Sequence, residues 1–237
     1  MRLIFIRHGE PNYETDHLTE KGWREAEILA ERVAKWDIKQ IYCSPLGRAQ
    51  DTSIPTLRKL GREAVTCDWL QEFYYRVKHE QTGDETIAWD FYPRYFAPHD
   101  QLHDKDKWAY SDVMASGDIA KFADIVYREF DALLEKHGYR RNDKNYYDVI
   151  EHNDDNIVFF CHFGITALLV GHLIGVAAPA LWQGSIMLPT SITVLGSEER
   201  IPGEAAFRVQ TFGDARHLIE AGEPLSSSGY FGKVFEG

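Results

Sequence analysis

Three cysteines in 237 residues are too few for covalent or metal scaffolding. Cys43, Cys67 and Cys161 are odd in number, widely spaced and beside apolar neighbours, so they read as reduced core residues. No apolar run approaches the length of a membrane span, and no membrane partner is expected. Positive charge is short as well: 26 Lys and Arg stand against 37 Asp and Glu, a formal net charge of −11. That balance argues against a nucleic-acid surface, and an anionic substrate would have to meet a local cluster of Arg, Lys and His. HExxH and comparable ligand spacings are missing, so a metal hydrolase is disfavoured and neither metal nor cofactor is expected. No charged-then-apolar leader precedes the first strand, which makes a cytoplasmic location the expectation. Internal repeats are absent too.

What is present is an ordinary globular composition, 44% hydrophobic, long enough for one good core. The expectation is a single domain over 1–237 with an insertion, or lid, at about 74–116. The chain opens on MRLIFIRHGE, in which Leu3, Ile4, Phe5 and Ile6 read as a buried strand ending at Arg7, His8, Gly9 and Glu10. Ligands of open α/β sheets bind beyond the carboxyl ends of the strands, so this cation and imidazole stand where chemistry occurs. Beside a guanidinium the imidazole of His8 is expected to be neutral, hence a nucleophile, and Arg7 a fork for phosphate oxygens. The bland alternative is a surface Arg and a capping His.

Further along, Thr19 to Trp36 reads as a helix with Thr19 as N-cap. Ile38 to Cys43 is a strand, and the segment from Ser44 (SPLGRAQDTSIPTLRKLG) a helix with Arg48 near its start. Glu63 to Leu70 gives a third strand, closed by Glu72. Residues 74–116 are rich in aromatics and broken by Pro93 and Pro98, which suggests short helices forming a lid or flank. Gly117 to His137 is a long amphipathic helix, and 138–156 a polar loop. The strand Ile157 to Cys161 ends at His162, a helix runs to about Ile174, and Ser191–Leu195 and Ala205–Phe212 read as late strands. The tail from Asp214 to Gly237 is Ser- and Gly-rich and expected to be mobile. This alternation predicts an α/β fold, a three-layer α/β/α arrangement with a mainly parallel sheet and a helical lid.

Arg7, His8, Arg48, Glu72 and His162 thus fall at strand ends or helix starts that share one edge of such a sheet. Two Arg and two His suit a phosphoryl group, and a carboxylate in that company makes sense as a general acid. Taken alone, His162 would be a satisfied core histidine, Arg48 a solvated cation and Glu72 as readily structural as catalytic. Together, RHGE at 7–10, SPLGRAQDT at 44–52, LQEF at 70–73, CHFG at 161–164, and the later SITVL and GDARHL resemble the histidine phosphatase superfamily, within it the phosphoglycerate mutase-like branch.

The resemblance implies that His8 is the phosphorylated nucleophile, that Arg7 and Arg48 bind the phosphate, that His162 is the second histidine on it, and that Glu72 is the proton donor. Where members often carry an Asn six residues after the nucleophile this chain has Glu14, and Asn12 is the nearest amide able to substitute. Phe163 replaces a common Gly and is expected to narrow the pocket or stack on substrate. Other candidate donors lie in the lid: His79, Glu80, Asp84 and Glu85. His217 reads as structural. The expected activity is a metal-independent phosphatase hydrolysing a small phosphomonoester through a phosphohistidine. Arg76 and Lys78 are a thin supply of cations for a phosphoglycerate mutase, the alternative; a non-catalytic phosphate-binding regulatory module is another. The expected partner is a small phosphorylated substrate, and a homodimer is left open.

Overall fold

The computed structural model describes residues 1–79 and 81–226; Glu80 and the tail from 227 to 237 lie outside the described residues. The strand Arg2–Arg7 runs through the middle of an eight-stranded sheet. Its side chains alternate between two cores. Leu3 and Phe5 join Phe130, Leu134 and Ile165 on one face, while Ile4 and Ile6 join Leu29, Val33 and Ala49 on the other. Helices therefore cover both faces: Glu20–Val33 and Gly47–Leu60 on one, Ile119–Lys136 and Phe163–Ile174 on the other. A strand buried on both faces reads as a continuous apolar run, which is what LIFI is. Thr19 caps its helix, accepting the Gly22 N–H at 3.0 Å.

The sheet is mixed, which corrects the expectation of a mainly parallel one. Val65–Thr66, Gln40–Cys43, Asn156–Cys161 and Arg2–Arg7 pair in parallel, in that order. Beyond Arg2–Arg7 the pairing turns antiparallel through Ile192–Ile201, Glu204–Asp214, Tyr147–Val149 and Tyr139–Arg141. The reason is connection length. Pro202 and Gly203 alone join two consecutive strands, with Gly203 at φ 88°, and a connection that short can make only a hairpin. The segment 138–156, expected as a loop, likewise folds a hairpin on the sheet edge, because Tyr139 and Tyr147 bury their rings against Phe207.

The third strand is shorter than expected: Val65–Thr66 gives way to a 3₁₀ turn over Asp68–Leu70. The segment 74–116 opens with a small hairpin, Arg76–Lys78 against Glu85–Ile87, before the short helices Pro93–Phe96, Asp100–His103 and Asp112–Ala115. Of its aromatics, Phe91, Tyr95 and Trp108 are buried in the cluster that holds Leu3 and Phe5, Tyr75, Trp89 and Phe96 pack against it, and Tyr74, Tyr92 and Tyr110 are exposed. Among the described residues no helix is long and apolar enough to cross a membrane.

Candidate active site

Parallel register brings three strand ends to one place. Arg7 stands opposite Cys161 and Cys43 opposite Phe160, and the pairing continues one step further in the loops. The His8 N–H donates to the Cys161 carbonyl and the Ser44 N–H to the Phe160 carbonyl, both at 2.9 Å. His8, Ser44 and His162 are thereby neighbours although far apart in sequence. The two imidazoles lie 5.1 Å apart between centroids, and both are buried. The chain can turn away after His8 because Gly9 packs on the next helix: a Cβ there would lie 2.8 Å from the Gly22 carbonyl oxygen. The Gly9 N–H is taken by the Thr52 hydroxyl at 2.9 Å.

His8 Nδ1 lies 2.7 Å from the Gly9 carbonyl oxygen, which can only accept, so the proton belongs on Nδ1 and Nε2 carries the free lone pair. Burial, then the positive charge of Arg7, holds the His8 pKa well below the ordinary imidazole value. His162 is depressed well below it too, by burial first and then by His8, Arg48 and Arg7. Its Nε2 meets the Ser44 hydroxyl at 2.7 Å. Both rings are therefore neutral at neutral pH.

The cations are partly occupied. Arg48, in the first turn of its helix, is 8% exposed, pairs with the Asp16 carboxylate and lies under the Tyr13 ring at 5.6 Å. The Arg7 guanidinium donates to the Met187 carbonyl and has the Tyr13 hydroxyl beside it. Three buried nitrogens, Arg7 Nε, Arg48 Nε and His162 Nδ1, have no hydrogen-bond partner among the described residues. Unpaired donors on two guanidiniums are costly to bury unless an acceptor can reach them, which is a requirement an oxyanion meets.

Glu72 reaches the same place from the other side. Its Oε1 accepts the N–H of Phe73 at 2.8 Å and of Ile165 at 3.0 Å, the latter in the first turn of the helix that follows His162. Burial outweighs these bonds and Arg7, and raises the carboxyl pKa. With Oε1 engaged as an acceptor, a proton on this carboxyl belongs on Oε2. Glu72 and Arg7 both line a cavity of about 660 Å³, together with Tyr13, Trp89, Asp90, Phe163 and the stretch from Trp182 to Met187.

The structure thus brings Arg7, His8, Arg48, Glu72 and His162 together. It does not bring Asn12. That residue is exposed, its amide oxygen accepts the Glu14 N–H at 3.0 Å, and its neighbour Tyr13 lines the cavity instead. Strand residues alternate in direction, so a shift of one position decides which side chain faces the site. The other proton-donor candidates are also elsewhere: Asp84 and Glu85 are exposed, and His79 is buried among Phe91, Tyr92 and Tyr95, none of them on the cavity wall. Glu80 lies outside the described residues. Phe163 does line the cavity, edge-on to Trp89. His217 is buried 3.1 Å from the Thr190 hydroxyl. Tyr13 and Asp16 were not readable as site residues, because each arrives from a loop; Trp89 belongs to the aromatic run of 74–116, which could be read as packing or as a substrate-shaped wall, and it lines the cavity. Among the described residues no group of three His, Cys, Asp or Glu is placed to hold a metal ion.

The family model described as "Histidine phosphatase superfamily (branch 1)" matches residues 3–120. Among curated proteins, the chain is 35% identical over 82 residues to "Serine/threonine-protein phosphatase Pgam5, mitochondrial" of Drosophila erecta, covering 30% of this chain and 28% of that one. It is 37% identical over 79 residues to "2,3-bisphosphoglycerate-dependent phosphoglycerate mutase" of Thermoplasma acidophilum, covering 29% of this chain and 40% of that one. The matched stretches therefore span less than half the length of either relative. Among solved structures, phosphoserine phosphatase from Entamoeba histolytica in complex with 3-phosphoglyceric acid shares the fold with a TM-score of 0.60 at 18% identity, over 92% of this chain and 98% of that one. The motif at the end of the first strand, the helix that carries Arg48 and the matched family model agree, and the chain belongs to the histidine phosphatase superfamily, in its phosphoglycerate mutase-like branch.

Proposed function

We propose that this protein is a phosphatase that hydrolyses a small phosphomonoester through a phosphohistidine on His8, with no metal ion. The observation that carries the reading is the set of unpartnered nitrogens on Arg7, Arg48 and His162 grouped around a histidine whose Nε2 lone pair is free. The lone pair attacks phosphorus, the N–P bond forms and the ester P–O bond breaks. The departing alkoxide takes the proton from Glu72 Oε2 and leaves as an alcohol. Arg7, Arg48 and His162 hold the equatorial oxygens, where charge is spread in a loose transition state. Water then gives a proton back to the Glu72 carboxylate as it attacks phosphorus, the N–P bond breaks, and His8 is released neutral.

Two relatives pull in different directions, one named a phosphatase and one a mutase. Among the described residues Arg7 is the one cation on the cavity wall, and it serves the phosphate. A mutase must also hold its substrate's carboxylate, for which this wall offers no second cation, so hydrolysis is the better supported reading. The residues also argue against a non-catalytic module, which has no need of a raised carboxyl beside a neutral imidazole. The test is rapid acid-free quenching of turnover with ³²P-labelled substrate. Label on His8, stable to alkali and lost in acid, is the expected result; label on His162 or Cys161, or none with turnover intact, would overturn the mechanism.

A further inference from the structure

In the part of the cavity that would hold the leaving group, the indole and serine hydroxyl donors are engaged elsewhere. The Trp89 indole N–H donates to the Phe73 carbonyl at 2.7 Å, and the Trp182 indole N–H to the Gly164 carbonyl at 2.9 Å. The Gln183 amide donates to the Trp89 carbonyl at 2.9 Å, and the Ser185 hydroxyl to the Leu181 carbonyl at 2.6 Å. What these side chains leave on that wall is aromatic face and the Asp90 carboxylate. Trp89 and Phe163 stand edge to face, 5.5 Å between centroids at 81°. Beside them the exposed Asp90 carboxylate makes no side-chain hydrogen bond or ion pair with any described residue. Such a wall repels a carboxylate and sets no side-chain cation against it; an ammonium group, by contrast, is attracted by both the ring faces and the free charge.

Resting on the hydrolase reading above, we infer that the alcohol released carries a fixed positive charge: the substrate is the phosphomonoester of an amino or quaternary-ammonium alcohol, its phosphate on Arg7 and Arg48 and its cation against Trp89, Phe163 and Asp90. The phosphate end and the cationic end are then recognised by opposite charges, so an inverted or anionic substrate finds like charge at one end.

The experiment compares kcat/KM for phosphocholine, glycerol phosphate and 3-phosphoglycerate, with p-nitrophenyl phosphate as the reference. Phosphocholine is expected to exceed 3-phosphoglycerate by at least tenfold. Asp90→Asn is expected to cut the ratio of phosphocholine to p-nitrophenyl phosphate about tenfold, and Trp89→Leu to do the same. A preference for 3-phosphoglycerate, or a ratio unmoved by Asp90→Asn, overturns the assignment. If p-nitrophenyl phosphate is not turned over, the hydrolase reading fails on its own account. Calorimetric binding of phosphocholine against 3-phosphoglycerate to the folded His8→Ala protein then still decides the cavity's preference, and equal affinities sink it.

Discussion

Asp16 and Arg48 are joined through a shared helix start: one carboxylate oxygen of Asp16 pairs with the guanidinium, and the other accepts the Gly47 N–H at 2.7 Å. Asp16 holds this position with φ at 58°, a left-handed conformation that Asp tolerates better than most residues. The helix has no side-chain cap from Leu46 at its own N-cap position, so Asp16 takes that role from a distant loop. It fixes one arm of Arg48 and leaves Nε free. Asp16→Asn keeps an acceptor for Gly47 and loses the ion pair; kcat/KM should fall about three- to tenfold, roughly 1 kcal/mol, with little change in stability. Asp16→Ala should show the same kinetic loss and about 1 kcal/mol less stability in urea melts, the usual worth of a cap. Unchanged kinetics in both variants would mean that Arg48 is positioned without Asp16.

Glu72 should matter in proportion to the leaving group's need for a proton. Glu72→Gln keeps the size of the side chain and cannot donate an acid proton. Turnover of an alkyl phosphate should drop by roughly 10²–10⁴, the usual worth of general acid catalysis, and that of p-nitrophenyl phosphate far less. The raised carboxyl pKa keeps the wild-type acid protonated to higher pH than an ordinary Glu, and activity on alkyl phosphates should decline as pH rises through it. His8 and His162, both depressed, should add no loss on the acid side near pH 6.5. An equal loss on both substrates would place the acid elsewhere.

The parts of the site that were legible in the sequence are those set by local rules. An apolar run that stops at Arg7 and His8 is a strand end, Arg48 follows a strand by a few residues, and parallel pairing of those strands makes their ends coincide. Glu72 was less legible because its place depends on the turn at Asp68–Leu70 and on a helix start more than ninety positions away. Tyr13, Asp16 and Asp90 left no signal, since loop residues carry no periodicity that fixes their direction, and Trp89 showed only as one of a run of aromatics that could equally be packing. The hairpin over 139–149 was hidden for a different reason. Its strands are three residues each, and only Tyr139 and Tyr147 are buried, so alternation has no length over which to show. The antiparallel half of the sheet followed from two short connections that alternation of strands and helices does not report.

Chelation should leave the enzyme unaffected. Arg7, Arg48 and His162 supply the positive charge and hydrogen-bond donors that the transition state needs, so the proposed chemistry gives a divalent ion no task. Initial rates on p-nitrophenyl phosphate should agree within error before and after dialysis against EDTA. A rate lost in EDTA and restored by zinc or manganese would refute this.

Glu25 should withdraw stability as pH rises from about 4.5 to about 7. This carboxyl is fully buried behind the turn after His8, accepts the Glu10 N–H at 2.7 Å on one oxygen and has no partner among the described residues on the other. Burial raises its pKa to about 7. The folded chain keeps a proton that the unfolded chain gives up near pH 4.5, so the contribution is whole below that pH and is lost as pH climbs to about 7 and beyond. The loss is on the order of 3 kcal/mol. His8 and His162 act in the opposite sense, since unfolding frees them to bind protons below pH 6.5. The difference between wild type and Glu25→Gln isolates the carboxyl: the variant's advantage in urea stability should grow from pH 5 to pH 8, and a constant difference would show that Glu25 is already ionised in the fold.

Gly164 is the point where the acid and the cavity wall depend on one another. A Cβ at this position would stand 2.7 Å from Glu72 Oε1 and 2.8 Å from the Trp89 indole nitrogen, both nearer than real Cβ contacts allow. Its backbone also accepts the Trp182 indole N–H. Gly164→Ala must therefore push the carboxylate off the N–H groups of Phe73 and Ile165, or the indole off the Phe73 carbonyl. The helix itself favours Ala over Gly by up to about 1 kcal/mol, so propensity alone would stabilise the variant. Overpacking works the other way, by about 1–3 kcal/mol, and should leave a small net loss of stability with the fold intact. Activity should suffer more. A displaced Glu72 cannot place its proton on the leaving oxygen, so alkyl phosphates should lose at least tenfold more kcat/KM than p-nitrophenyl phosphate. The same discrimination is expected of Glu72→Gln, and the double variant should be no worse than the more damaged single one. Additive losses on alkyl phosphates would show that Gly164 acts on the reaction by a route other than Glu72.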